Sequence, residues 1–90
     1  MGNEYEVDYT KDARKLLRKM DPHDRSIVLA WIDDNLVKCT NPRAHGSSLS
    51  GDRSGEWRYR VGDYRILAKI YDDIVVIQVF KVGHRSKVYK

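Results

Sequence analysis

The sequence predicts an α+β fold of order β-α-α-β-β-β, in which an antiparallel four-stranded sheet carries a helical hairpin packed on one face. Three observations predict it. Apolar residues recur at helical intervals between Thr10 and Lys38, and the hydrophobic period changes to two from Glu56 onward. Between these regimes, Thr40 to Gly55 is rich in Gly, Ser, Asn and Pro and reads as a loop.

The elements follow in order. Tyr5, Val7 and Tyr9 alternate with Glu4, Glu6 and Asp8, the pattern of one half-buried strand. Thr10 can cap the helix that follows, because its hydroxyl can accept from the free amides of the first turn. In that helix Ala13, Leu16, Leu17 and Met20 form one apolar stripe, and Lys11, Arg14, Lys15, Arg18 and Lys19 lie on the other side as a solvated face. Asp21-Pro22 restarts the chain with a capping carboxylate and a proline at the first helical position. A second helix is expected to about Lys38, with Val28, Trp31, Ile32 and Leu36 as its apolar face. Three strands are then expected at Glu56–Val61, Tyr64–Tyr71 and Ile74–Val82. Gly62-Asp63 suits a two-residue type II′ hairpin, and Asp72-Asp73 is the expected second turn.

Turns set register, and register sorts side chains by face. From the first turn, Val61 pairs with Tyr64, Arg60 with Arg65 and Arg58 with Leu67. From the second, Lys69 pairs with Val76, Leu67 with Gln78 and Arg65 with Phe80. One face then carries Trp57, Tyr59, Val61, Tyr64, Ile66, Ala68, Ile70, Val75, Ile77 and Val79, and this is the core. The opposite face carries Arg58, Arg60, Arg65, Lys69 and Gln78, beside Leu67, Tyr71, Val76 and Phe80. Arg60 directly across from Arg65 sets like charges where they normally destabilise a sheet. The guanidiniums either splay into solvent and cover apolar surface with their stems, or they form an anion site. Neighbouring aromatic and apolar side chains favour the anion site, with phosphodiester as the anion.

Composition agrees. Ninety residues make one domain, 1–90, with a net charge of +4. Residues 1–55 hold nine Lys/Arg against nine Asp/Glu, so the whole excess lies in residues 56–90, with eight against four. Such a patch favours a polyanion. A single cysteine, Cys39, excludes an internal disulfide and fits a reducing cytosol; with no signal-like or membrane-spanning run, a cytoplasmic location and no membrane partner are expected.

Absences narrow the chemistry. His23, His45 and His84 lack metal-ligand spacing, no carboxylate cluster recommends a two-metal site, and Gly46, Gly51 and Gly55 are too scattered to cradle phosphate. No metal, cofactor or small-molecule ligand is expected. An enzyme built this way works by arginine electrostatics and local proton transfer. RNA is then the natural substrate, since its own 2′-hydroxyl can serve as nucleophile. His84, after the last strand, can donate or accept a proton near neutral pH.

The run Leu49–Arg65 (LSGDRSGEWRYRVGDYR) and the segment Val82–Tyr89 (VGHRSKVY) resemble the RelE/ParE toxin superfamily, and the element order agrees over nearly the whole chain. The resemblance implies a single RelE-like toxin domain that binds in the ribosomal decoding site and cuts mRNA there. It further implies attack by the 2′-hydroxyl, leaving a 2′,3′-cyclic phosphate and a 5′-hydroxyl. The family's basic pair on the second strand matches Arg58 and Arg60, and its third-strand arginine matches Arg65. Its arginine after the last strand matches Arg85, and its C-terminal tyrosine matches Tyr89. Arg65 and Arg85 are expected to clamp phosphate, while Arg58 and Arg60 orient it. Lys69, Lys81 and Lys87 are expected to extend the RNA-binding surface.

Family members often carry lysine where this chain has Arg58 and Arg60, and one such lysine is proposed as general base. Arginine stays protonated at any working pH, so the base is sought at His84 or Tyr89. The resemblance also implies a RelB-like antitoxin partner. The rival reading is a ParE-like, non-catalytic inhibitor of DNA gyrase, a branch that generally lacks the full basic-plus-tyrosine set.

Overall fold

The computed structural model describes residues 2–49 and 55–88. Its elements are β1 (Glu6–Tyr9), α1 (Lys11–Lys19), α2 (Pro22–Asn35), β2 (Ser47–Ser48), β3 (Glu56–Val61), β4 (Tyr64–Tyr71) and β5 (Val76–His84). The strands form one sheet in the order β1-β5-β4-β3-β2. The predicted α+β architecture therefore stands, with two differences. A fifth, two-residue strand forms within the expected loop, and β1 runs parallel to β5.

The helices start where their caps predict. Thr10 accepts a hydrogen bond from the Ala13 amide, and Asp21 accepts one from His23 with Pro22 at the first helical position. Arg25 of α2 reaches back to the Leu17 carbonyl near the end of α1, at 3.4 Å, which ties the two helices together. The second helix ends at Asn35, three residues earlier than expected. Leu36 and Val37 both donate to the Ile32 carbonyl, and Lys38 then adopts φ 64° to turn the chain back. Lys38 next donates to the Tyr5 carbonyl, while the Tyr5 amide donates to Cys39. That exchange fastens the helical hairpin to the strand from which it left.

Ala13, Leu17, Val28, Ile32 and Leu36 meet Tyr59, Val61, Ile66, Ala68, Ile77, Val79 and Val82 in the core. Tyr59 is fully buried, and its hydroxyl donates to the Pro42 carbonyl at 2.6 Å. Burial pushes the Tyr59 phenol well above its usual range, so it stays protonated and keeps this bond at any working pH. Tyr59→Phe leaves that carbonyl without this donor and is expected to cost about 1 kcal/mol, read as a lower urea midpoint at unchanged m value.

The first hairpin has the predicted register: Val61↔Tyr64, Arg60↔Arg65 and Arg58↔Leu67. The second does not. Tyr71 pairs with Val76, so the turn is four residues, Asp72 to Val75, instead of two. Val75, expected in the core, lies in this turn at φ 58°. Lys69 consequently meets Gln78 and not Val76. A shift of two residues preserves facing. A bulge then intervenes: Ala68 pairs with Val79 but Leu67 with Lys81, so Phe80 is the extra residue. Beyond it the facing of β5 reverses, Val82 enters the core, and Arg65 pairs with Gly83 instead of Phe80.

A polar cluster closes the far end of the sheet. Arg43 grips both carboxylate oxygens of Asp72 at 3.0 Å, and Tyr5 donates to the same carboxylate at 2.7 Å. These bonds hold Asp72 below the usual aspartate range. A carboxyl depressed on folding contributes stability above its unfolded pKa and loses it as pH falls through the folded value. Asp72→Asn is therefore expected to lower stability at pH 7 by no more than about 1 kcal/mol, since both partners are solvent-exposed. The difference from the parent should shrink as acid unfolding is followed below about pH 4.

Candidate anion-binding face

Cross-strand partners share a face, so the register assembles the site in rows. One row runs Arg60, Arg65, Gly83; the next runs Ser47, Arg58, Leu67, Lys81. A third runs Glu56, Lys69, Gln78, Asp8. The helices lie on the other side, as Tyr64 demonstrates: it neighbours Arg65 in sequence, faces oppositely, and donates to Asp24 of α2 at 2.8 Å. Arg58, Arg60 and Arg65 therefore converge on the helix-free face, as the sequence predicts. The face is also polarised, with arginines at the Gly62 end and the carboxylates Glu56 and Asp8 toward the other.

The arginines differ in environment. Arg60 is exposed. Arg58 is half-buried, and its Nη2 donates to the Ser47 hydroxyl at 3.0 Å. Arg65 is 9% exposed, which the sequence does not anticipate. Its Nη1 donates to the carbonyls of Gly62 and Tyr64, both at 3.0 Å. The guanidinium thus braces the turn that sets the register. A guanidinium has five N–H donors, and among the described residues only those of Nη1 are engaged, which leaves Nε and Nη2 able to donate elsewhere.

The segment after β5 folds back at this end. Arg85 donates its amide to the Asp63 carbonyl at 2.8 Å and sets its side-chain Nε 3.7 Å from the Asp63 carboxylate. Lys87 and Val88 both donate to the His84 carbonyl, and Val88 is 2% exposed against Gly83. Arg85 is exposed and held near the turn that Arg65 braces. Tyr89 lies outside the described residues.

His84 is not brought to the arginines. The bulge pairs it with Tyr64, so it stands on the helix side, its ring 5.8 Å from the Tyr64 ring. Its Nδ1 accepts from the Ser86 amide at 3.1 Å and lies 2.8 Å from the Ser86 hydroxyl. Of the lysines, Lys69 stays on the arginine face with its ammonium 5.6 Å from the Tyr71 ring centre. Lys81 keeps its place in the Arg58 row by register and also lines a groove with Lys15, Leu16 and Lys19 of α1, and Lys87 is exposed in the terminal turn.

Sequence reading missed Ser47. Its signal is weak: a glycine followed by two serines within a loop-like stretch. Gly46 is the residue that lets this stretch reach the sheet. At φ 76°, a Cβ there would lie 2.0 Å from the Arg58 carbonyl oxygen. Among the described residues no group of three or more His, Cys, Asp or Glu could hold a metal ion. None of their helices is long and apolar enough to cross a membrane.

Comparison with known proteins adds a common frame. Residues 7–89 match the family described as ParE toxin of type II toxin-antitoxin system, parDE. Toxin RelG of Mycobacterium tuberculosis is 29% identical over 86 residues, 96% of this chain and 97% of its own length. The toxin–antitoxin complex RelBE2 of the same organism contains a chain that superposes with TM-score 0.77 at 28% identity, covering 94% and 95% of the two chains. A free-state mutant of the E. coli toxin RelE gives TM-score 0.75 at 26% identity, covering 96% and 90%. The archaeal RelE–RelB complex of Pyrococcus horikoshii gives 0.73 at 25%, covering 94% and 99%.

Proposed function

The chain belongs to the ParE toxin family, and so to the RelE/ParE superfamily of type II toxin–antitoxin toxins, and from that premise we propose that it is a ribosome-dependent mRNA endonuclease. The observation that carries this reading is the convergence of Arg58, Arg60 and Arg65 on one helix-free face, with Arg85 at its edge. Fixed positive charge aimed at a scissile phosphate stabilises the charge that develops there.

Arg65 and Arg85 clamp the phosphate. Arg58 and Arg60 orient it relative to the attacking 2′-hydroxyl, and Lys69, Lys81 and Lys87 steer the strand. The 2′-hydroxyl gives its proton to a base supplied by the ribosome or the RNA itself as its oxygen bonds to phosphorus, and the 5′-oxygen leaves, so a 2′,3′-cyclic phosphate and a 5′-hydroxyl result without any metal ion. Tyr89 stacks on a base or protonates the leaving oxygen. His84 faces away from the arginines, so His84→Gln is expected to leave the chemical step unchanged within about twofold, well below what a general base contributes. Single-turnover cleavage on programmed ribosomes from about pH 5.5 to 8.5 checks this. The ribosome supplies the substrate orientation that a domain of 90 residues lacks. The relatives solved with RelB support a RelB-like antitoxin as partner.

The decisive experiment adds the protein to a reconstituted translation mixture and maps mRNA ends by primer extension. Cuts that require ribosomes support the reading. A second reading is favoured by the match to the ParE family, that of a non-catalytic DNA gyrase inhibitor. Intact mRNA together with gyrase-dependent DNA breaks would establish it instead.

A further inference from the structure

The geometry points to Ser47 as a positioning residue of the cleavage site, acting through Arg58; this role rests on the endonuclease reading. Three observations converge. The two-residue strand β2 pairs Ser47 directly with Arg58, which puts the serine on the arginine face in the row that continues to Leu67 and Lys81. The Ser47 hydroxyl accepts from Arg58 Nη2 at 3.0 Å, in a half-buried position. The approach depends on Gly46, whose missing Cβ is what allows the chain to lie against the Arg58 carbonyl.

An arginine side chain has four rotatable bonds and much rotamer entropy to lose when it is ordered. A hydroxyl that accepts from one terminal nitrogen fixes the plane of the fork before the phosphate arrives. Having accepted, the hydroxyl still has its own proton to donate, and a nearby phosphate oxygen is a suitable acceptor. Ser47 thus orders Arg58 for the transition state and adds a neutral donor beside it. Exposed Arg60 has no such brace among the described residues, so the two arginines of the pair are not equivalent: Arg58 is oriented in advance, and Arg60 is not.

Single-turnover cleavage on programmed ribosomes, followed against toxin concentration, tests this. Ser47→Ala is expected to lower the maximal rate roughly tenfold or more while half-saturation moves by less than about twofold, because orientation and not encounter is lost. Ser47→Thr keeps the hydroxyl on a strand-compatible side chain and is expected to restore most of the rate. In an Arg58→Lys background, Ser47→Ala should add less than about a twofold further loss, since the two side chains act as one unit. The thermal midpoint of each variant, measured alongside, separates positioning from folding. An unchanged rate for Ser47→Ala, a loss that Thr does not rescue, or fully multiplicative losses in the Arg58→Lys background would each overturn the role while leaving the endonuclease reading in place. A wild-type protein that never cuts ribosome-bound mRNA overturns both together.

Discussion

Arg65→Ala is expected to lower the rate of ribosome-dependent mRNA cleavage by about 100- to 1000-fold, the usual effect of removing one preorganised donor from a developing charge. Unlike most surface arginines, Arg65 should also cost stability. Its Nη1 satisfies the Gly62 and Tyr64 carbonyls at 3.0 Å each, and the residue is only 9% exposed. Hydrogen bonds from a charged donor contribute about 1.5–3 kcal/mol, so the variant should show a urea midpoint lowered by that order. The two effects are separable. Arg65→Lys keeps a cation but lacks the fork that holds two carbonyls while presenting further donors. It should regain part of the cleavage rate without regaining full stability. Cleavage at the parental rate by folded Arg65→Ala protein would remove this side chain from the mechanism.

The bracing of the turn by Arg65 was not legible in the sequence, and the reason is physical. A period of two tells which face a residue occupies, but not that a guanidinium will curl back onto the carbonyls of its own turn. The arginine face itself was legible, because Gly62-Asp63 makes a two-residue turn and such a turn fixes the register of both strands. The second hairpin was less so. Nothing in Asp72-Asp73-Ile74-Val75 announces a four-residue turn, since a β-branched valine at φ 58° runs against its ordinary preference. The consequence was mild, because a shift of two keeps each side chain that remains paired on its own face and only takes Val75 out of the core into the turn. The bulge at Leu67/Ala68 mattered more. One additional residue, Phe80, turns the remainder of β5 over and carries His84 from the arginine side to the helix side. Ser47 was hidden for a different reason: a two-residue strand has no periodicity to read.

Replacing both Arg58 and Arg60 with Gln is expected to abolish cleavage, whereas replacing both with Lys should retain a measurable part of it. Both arginines lie on the same face of β3, two residues apart, and Arg60 stands directly across from Arg65. Gln removes two positive charges from a site that on the proposed function gathers a polyanion, so the loss is expected on encounter and on transition-state charge together. Lys preserves the charge but not the planar fork, and so forfeits the bond geometry that Arg58 makes with Ser47. The lysine variant also introduces something the parent lacks, a group that can lose its proton. If a lysine here serves as general base, the rate of the double-Lys protein should climb with pH as the neutral amine becomes available. The parent should show no such climb from these two positions, because a guanidinium does not titrate in that range. Single-turnover rates of the three proteins on programmed ribosomes, measured from about pH 6 to 9 and at two salt concentrations, read both effects. Raising the salt should slow the parent and the double-Lys protein alike at subsaturating toxin. A double-Gln protein that cuts mRNA at the parental rate would show that the charge on this face is not what carries the chemistry.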